Sequence, residues 1–199
     1  MKRVAVIRLL IFFAVVCALL SAALAYREQR ELSGKLIRLH VVANSDSAFD
    51  QRVKLQVRDA ILGEIGEAGW SGREEAERCL IQMLPELKAA ADAELKRCGS
   101  DLSANVQLNT ESYPTRVYPT FSLPAGEYLS LRVTIGNGEG KNWWCVVYPS
   151  ICGAAVSDLT ATAAAAGFSK SEVRLITADD LDVKLRFKLL EWMQSCRIF

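Results

Sequence analysis

The sequence predicts an α+β fold in which a sheet of about four strands, antiparallel or mixed, carries helices on one face as a two-layer sandwich. Segments that alternate apolar and polar residues occur both before and after a block of segments with helical spacing of apolar residues. The helices stand together as a block and do not alternate with single strands. This order argues against a nucleotide-binding α/β fold.

The first 25 residues are predicted to lie outside this domain. They have a basic start, no charge over residues 9–25, and an A-x-A pattern that ends at Ala25, as signal peptidase requires. A run of this length is also near the lower limit for a membrane-spanning helix. Residues 1–25 are therefore a cleaved signal peptide or a retained N-terminal anchor. Both alternatives place residues 26–199, expected to form a single domain, across a membrane.

The charge balance excludes electrostatic capture of nucleic acid. Residues 1–25 hold three of the 24 basic residues, so the remainder carries 21 basic against 23 acidic side chains, a net charge of −2. Binding to nucleic acid or to an anionic membrane surface requires a basic excess. Membrane contact is expected only through residues 1–25, if these are retained.

The first strand and helix follow the polar stretch 26–34. Residues 35–46, "KLIRLHVVANSD", alternate and predict a half-buried strand that ends at the short polar residues. Ser47 and Asp50 have the spacing of a capping box, which predicts a helix that runs to about Ile65. Its apolar stripe consists of Val53, Val57, Ala60, Ile61 and Ile65.

A second helical region is predicted over about 73–98, after two glycines. Ser71 and Glu74 repeat the capping-box spacing. Pro85 lies inside the region, so we expect either a kink or two consecutive helices, the second opened by Pro85. The apolar face consists of Ala76, Leu80, Met83, Leu87, Ala91 and Leu95.

Three further segments predict strands. Residues 102–109 alternate, a proline-rich connection follows, and residues 126–135 and 142–148 form two more apolar segments. The glycine-rich residues 136–140 between the last two predict a turn, and hence an antiparallel hairpin.

The C-terminal third has weaker patterns. The alanine-rich residues 154–167 predict a helix and residues 172–177 predict a short strand. A last helix is predicted over about 180–196. Its apolar face consists of Leu181, Leu185, Leu189, Trp192 and Cys196.

The adjacent Trp143 and Trp144 place an indole ring on each face of one predicted strand, since neighbouring strand residues point to opposite sides. One face carries Trp143, Cys145 and Val147, and the other carries Trp144, Val146 and Tyr148. One aromatic face therefore lies on the polar side of the sheet. Either the C-terminal helix covers it with Trp192, or it is an exposed contact surface for a partner, or it is a platform for sugar.

Five cysteines remain beyond residue 25. Cys79 and Cys98 lie in helical pattern and are expected to be buried as small hydrophobic residues. Cys145 and Cys152 form a possible disulfide outside the cytoplasm. No metal site is expected, because the cysteine spacing is wrong and the only histidine is distant in sequence. No cofactor is expected either.

His40 is the candidate base of a hydrolase, with nearby serines and acids. The serines and acids sit where helix capping requires them, so catalysis at His40 is not favoured. Asp46 and Asp50 lack the further ligands of a calcium loop. Residues 136–140, "GNGEG", join two strands and contain an acidic residue, which favours a turn over a phosphate-binding loop.

Two segments resemble the signature blocks of the stage II sporulation protein R family. They are "IRLHVVANSDSAFDQRVKLQVRDAIL" at 37–62 and "YPTRVYPTFSLPAGEYLSLRVTIGNGEGKNWWCVVYPSIC" at 113–152. The tail "RFKLLEWMQ" at 186–194 also matches the layout of the family. The alanine-rich residues 154–170 depart from it, as does Ser150, where a second proline is expected.

The resemblance implies a secreted signalling protein of sporulation that is not an enzyme. Such a protein is exported into the space between forespore and mother cell. There it activates a membrane-embedded aspartic protease of the mother cell, which cleaves a sporulation sigma-factor precursor. The alternatives are an exported hydrolase that uses His40 and a cell-wall glycan-binding protein. We expect the partner contacts on one side of the sheet, at Arg38, His40, Tyr128, Arg132 and Trp144.

Overall fold

The computed structural model describes residues 2–66, 69–151 and 159–177, together with residues 185, 187, 188, 190–192 and 195. Helices and a mixed sheet confirm the predicted α+β fold. The elements are α1 Lys2–Ser33, β1 Ile37–Val42, α2 Ala48–Ile65, α3 Arg73–Arg97, β2 Ala104–Tyr113, β3 Arg116–Val117, β4 Ser122–Leu123, β5 Gly126–Ile135, β6 Asn142–Tyr148, α4 Leu159–Ala165 and α5 Lys170–Thr177.

The chain divides into two compact units. The sheet unit contains residues 33–111 and 127–169. The terminal unit contains residues 1–32, 112–126 and 170–199, so that α1, the proline-rich connection and α5 belong to the same unit.

The four strands of the main sheet lie in the order β2-β5-β1-β6. β1 runs parallel to β5 and antiparallel to β6. The predicted hairpin of β5 with β6 is therefore wrong, because β1 lies between them. The six residues that join β5 to β6 cross the end of β1, where the Gly140 amide donates to the Ala43 carbonyl at 2.9 Å. Such a loop has to span two strand spacings, about 10 Å.

Helices α2 and α3 pack over one face of the sheet and form the core with it. The buried stripes include Val53, Val57 and Ile61 from α2 and Leu80 and Leu87 from α3, as the helical spacing predicts. Full burial of each Val, Leu or Ile side chain contributes about 1.5–3 kcal/mol. Pro85 lies inside the single helix α3.

The helix ends agree with the sequence in one case and differ in another. Ser47 caps α2, since its Oγ accepts the Asp50 amide at 3.0 Å, as predicted. α3 instead begins after Gly72, and Ser71 donates to the Glu75 carboxylate. The predicted box of Ser71 with Glu74 is therefore wrong.

The C-terminal third shows two further corrections. Residues 170–177 form the helix α5, where the sequence predicts a strand at 172–177, because Glu172 and Ile176 are buried at the i, i+4 spacing of a helix. In the last helix, Leu185 and Trp192 are exposed while Phe187 and Leu190 are buried. The buried face is thus not the predicted one, and Leu181, Leu189 and Cys196 lie outside the described residues.

Helix α1, which belongs to the terminal unit up to Leu32, continues past the apolar run. Its side chains are largely exposed up to Leu24, whereas Ala25, Gln29 and Leu32 are buried. By length and composition α1 is able to cross a membrane. The polar stretch after Ala25, where no element is predicted, is therefore the packed end of this helix.

Candidate functional site

The predicted contact residues do share one face of the sheet. In the strand register, His40 of β1 lies opposite Arg132 of β5 on one side and Trp144 of β6 on the other. Arg38 lies opposite Ser130 in the same way. Because opposed residues point to the same side, these side chains form the surface that we call the polar face. It consists of Arg38, His40, Glu111, Tyr128, Ser130, Arg132, Asn142 and Trp144.

Burial separates the five predicted residues into two groups. Arg38, Tyr128 and His40 are buried, and the Arg38 guanidinium lies 4.9 Å from the centre of the Tyr128 ring in a cation–π contact. Trp144 is half-buried and the Arg132 side chain is 34% exposed. Of these five residues, only Arg132 and Trp144 therefore offer appreciable side-chain surface to a partner.

Glu111 of the edge strand β2 has hydrogen bonds with three other residues of the polar face, although the sequence pattern does not single it out. Its side chain is only 10% exposed. Its Oε1 accepts from Arg132 Nη1 at 2.6 Å, and its Oε2 lies 3.1 Å from His40 Nδ1. The predicted strand ends at residue 109, whereas β2 continues to Tyr113. Extending the same alternation by one step places Glu111 on this face.

The environment of Glu111 favours its charged form. Burial by itself raises the pKa of the carboxyl, but hydrogen bonds from Ser130, Arg132 and His40 outweigh burial and lower the pKa below its ordinary value. A buried carboxylate needs such partners, because an unpaired buried charge is costly. Glu111 thus joins strands β2, β5 and β1 by charge-assisted contacts.

The geometry at His40 does not favour a catalytic base. Both ring nitrogens are engaged, Nδ1 with Glu111 and Nε2 with Asn142 Oδ1 at 2.9 Å. The ring also stacks on Trp144, with 5.5 Å between ring centres. The nearby Ser45 donates to the Asp50 carboxylate. Among the described residues no group of His, Cys, Asp or Glu side chains is arranged to hold a metal ion.

The two signature segments dock on each other at the end of β1. Asn44 accepts the Asn137 amide through its side chain at 3.0 Å and the Glu139 amide through its carbonyl at 3.1 Å. Asp46 accepts the Lys141 amide at 2.8 Å. A Cβ on Gly140 would lie 2.3 Å from the Ser45 carbonyl oxygen, so only glycine fits there.

This docking decides between the two interpretations of residues 136–140. All six amides of residues 136–141 donate within the chain, to Ser103, Asn44, Ile135, Ala43 and Asp46. A phosphate-binding loop instead aims its amides at the ligand. The turn interpretation is therefore confirmed.

The paired tryptophans lie on opposite faces, as predicted, and one side of each ring is occupied. Trp144 stacks on His40, and the Arg58 guanidinium lies 4.7 Å from the Trp143 ring centre. The alternation predicts Tyr148 on the face of Trp144. A register shift between Ile37 and Arg38 turns it instead toward the core, next to Trp70.

Cys145 is buried in β6, and Cys152 lies outside the described residues. The disulfide between them stays a prediction. Cys79 and Cys98 are half-buried in α3 and at its end, less buried than predicted.

Comparison with known proteins gives one consistent result. Residues 33–158 match the family model described as Stage II sporulation protein R. A protein of that name from Bacillus subtilis (strain 168) is 37% identical over 162 residues, which cover 76% of this chain and 71% of the relative. No solved structure gives a significant match. The matched region contains both signature segments and the complete sheet.

Proposed function

Since the chain belongs to the stage II sporulation protein R family, we propose that it is an exported signal of sporulation. It activates a membrane-embedded aspartic protease of the mother cell, which then cleaves a sporulation sigma-factor precursor. The observation that carries the proposal is the family match across both signature segments.

Export into the space between forespore and mother cell is the second part of the proposal. The apolar run of α1 is compatible with an export signal, because it is long, uncharged over residues 9–25 and preceded by basic residues. The signal then acts on a protease in the opposing membrane. Residues 26–199 thus work outside the cell compartment that made them.

The protein acts by binding and has no turnover of its own. The support lies at His40, whose ring is held between Glu111 and Asn142 and is largely buried. A base for hydrolysis needs a free nitrogen within reach of a nucleophile. The charge-assisted contacts around Glu111 instead resemble a rigid support for the surface above them.

Arg132 and Trp144 form the contact surface for the protease. They flank His40 on opposite sides and retain exposed surface, and Arg and Trp are the residue types enriched at binding hot spots. Arg38, His40 and Tyr128, which the sequence predicts as contacts beside them, support this surface from below.

The experiment compares R132A and W144A in sporulating cells that lack their own copy of the family protein. The ratio of cleaved to uncleaved sigma-factor precursor on an immunoblot reports activation. We expect both variants to reduce this ratio at least tenfold, since loss of one hot-spot side chain costs about 2 kcal/mol or more.

Matched controls separate contact from folding. R52A and F49A remove an exposed arginine and an exposed aromatic side chain from α2, on the helical side of the sheet unit. Both should signal normally. Normal signalling by R132A and W144A would refute the assigned contact surface. A loss of signalling that is fully explained by lowered thermal stability would refute it as well.

A further inference from the structure

The terminal unit exposes large apolar side chains beyond those of α1. Val117 of β3 is 80% exposed, Leu185 is 60% exposed and Trp192 is 59% exposed. Lys188, also exposed, lies between the last two along the helix. Leu185, Lys188 and Trp192 follow the i, i+3, i+7 spacing of one helix face. An exposed apolar side of this kind marks a surface for a partner or a membrane.

A hydrogen bond links the helix that carries Leu185 and Trp192 to the segment that carries Val117. Glu191, which precedes Trp192, is hydrogen-bonded to Thr115. Burial by itself raises the pKa of the Glu191 carboxyl, but hydrogen bonds from Lys188 and Thr115 outweigh burial and lower the pKa below its ordinary value. Val117 is two residues from Thr115, at most about 7 Å along the chain. Trp192 and Val117 are therefore close to the same segment.

The same segment also meets the end of the apolar helix. Gln29 of α1 packs so closely on Gly126 that a Cβ there would lie 1.8 Å from Gln29 Nε2. Ala25 is the last residue of the uncharged run. Gln29 lies four residues beyond it, a distance of about 6 Å along a helix. The interfacial layer of a bilayer is of similar thickness, about 5–8 Å. If residues 1–25 cross a membrane, the remainder of the terminal unit starts at its surface.

We propose that Val117, Leu185 and Trp192 rest in the interfacial layer of the membrane that α1 enters. Indole rings concentrate at this depth, and a lysine beside them reaches the headgroups with its charge. The occupant of the apolar surface is thus lipid. This contact adds to the one through α1 and requires that α1 stays attached to the domain.

Fluorescence quenching by brominated lipid tests the proposal on the full chain reconstituted in nanodiscs. Bromine on the upper part of the acyl chain quenches only tryptophans that approach it. We expect the tryptophan emission of the wild type to be lower in brominated nanodiscs than in ordinary ones. In W192F most of this decrease should be absent. W144F removes an indole of the sheet unit instead and should keep the full decrease, which makes it the matched control.

Three results would overturn the proposal. The first is a wild-type emission that brominated lipid does not change, as expected if a second copy or another protein covers this surface. The second is equal quenching in W192F and wild type. The third is recovery from exporting cells of a chain that begins at Tyr26, because residues 1–25 would then have been removed. Unchanged far-UV circular dichroism and an unchanged thermal midpoint of W192F verify that its fold is intact.

Discussion

Substitution of Gly140 by alanine tests the docking of the two signature segments. The added Cβ would lie 2.3 Å from the Ser45 oxygen, 2.6 Å from the Ser45 carbonyl carbon and 2.8 Å from the Ala43 Cβ. Two of these atoms belong to the backbone and cannot rotate away. The turn of residues 136–141 must therefore move off the end of β1.

The magnitude follows from the contacts that this movement breaks. Overpacking of a filled site costs about 1–3 kcal/mol. Loss of the bonds from the amides of Gly140 and Glu139 to Ala43 and Asn44 adds about 1 kcal/mol each. We expect G140A to lower the free energy of unfolding by about 3–5 kcal/mol, and the thermal midpoint by roughly 6–20 °C.

Thermal unfolding of the full chain in detergent, followed by tryptophan emission, measures this change, since Trp143 and Trp144 follow the turn. G63A is the matched control. Gly63 lies within α2, and a Cβ added to it would meet no atom within 4 Å, so alanine should stabilise the helix by about 0.5–1 kcal/mol. G140A with the stability of the wild type would refute the docking.

Two further predictions concern Glu111 and Ser47. The Glu111 pKa is lowered in the folded chain, so its contribution to stability is complete above the unfolded value of about 4.3 and is lost as the pH falls through the lower folded value. E111Q should unfold more easily near pH 7, and its unfolding midpoint should fall less than that of the wild type as the pH is lowered from 7 into the acid range. A midpoint that falls with pH as steeply as that of the wild type would contradict the assigned contacts. S47A should lower the free energy of unfolding in urea by about 1 kcal/mol, because α2 loses its cap. S71A removes a hydroxyl that caps no helix and should change the free energy of unfolding by less than about 0.5 kcal/mol. Equal losses in the two variants would contradict the assignment of the cap.

Local patterns predict most elements correctly because those elements depend on neighbours in sequence. The Ser47 cap and the α2 stripe are both decided within a few residues. Alternation also identifies β1 as a strand, but its prediction of a half-buried one is wrong, because all six residues of this inner strand are buried. The order of the strands in the sheet is not decided by neighbours in sequence. A glycine-rich turn between β5 and β6 predicts a hairpin, and only the insertion of β1 between them, held by Ala43 and Asn44, decides against it.

The candidate site shows the same division. Alternation places Arg38, His40, Tyr128, Arg132 and Trp144 on one face, because strand parity is a local property. Their burial depends on what packs around them, and alternation carries no information on that. Glu111 escapes prediction because its importance comes from three cross-strand partners, which cannot be known before the strand order is known.

Reconstituted cleavage of the sigma-factor precursor tests the central claim most directly. Proteoliposomes that hold the membrane-embedded protease receive the purified chain from outside, and precursor cleavage is followed against the amount of chain added. The account predicts cleavage that saturates with added chain, and none when the protease is omitted. Cleavage by the chain without the protease, or protease activity that does not respond to the chain, would contradict it.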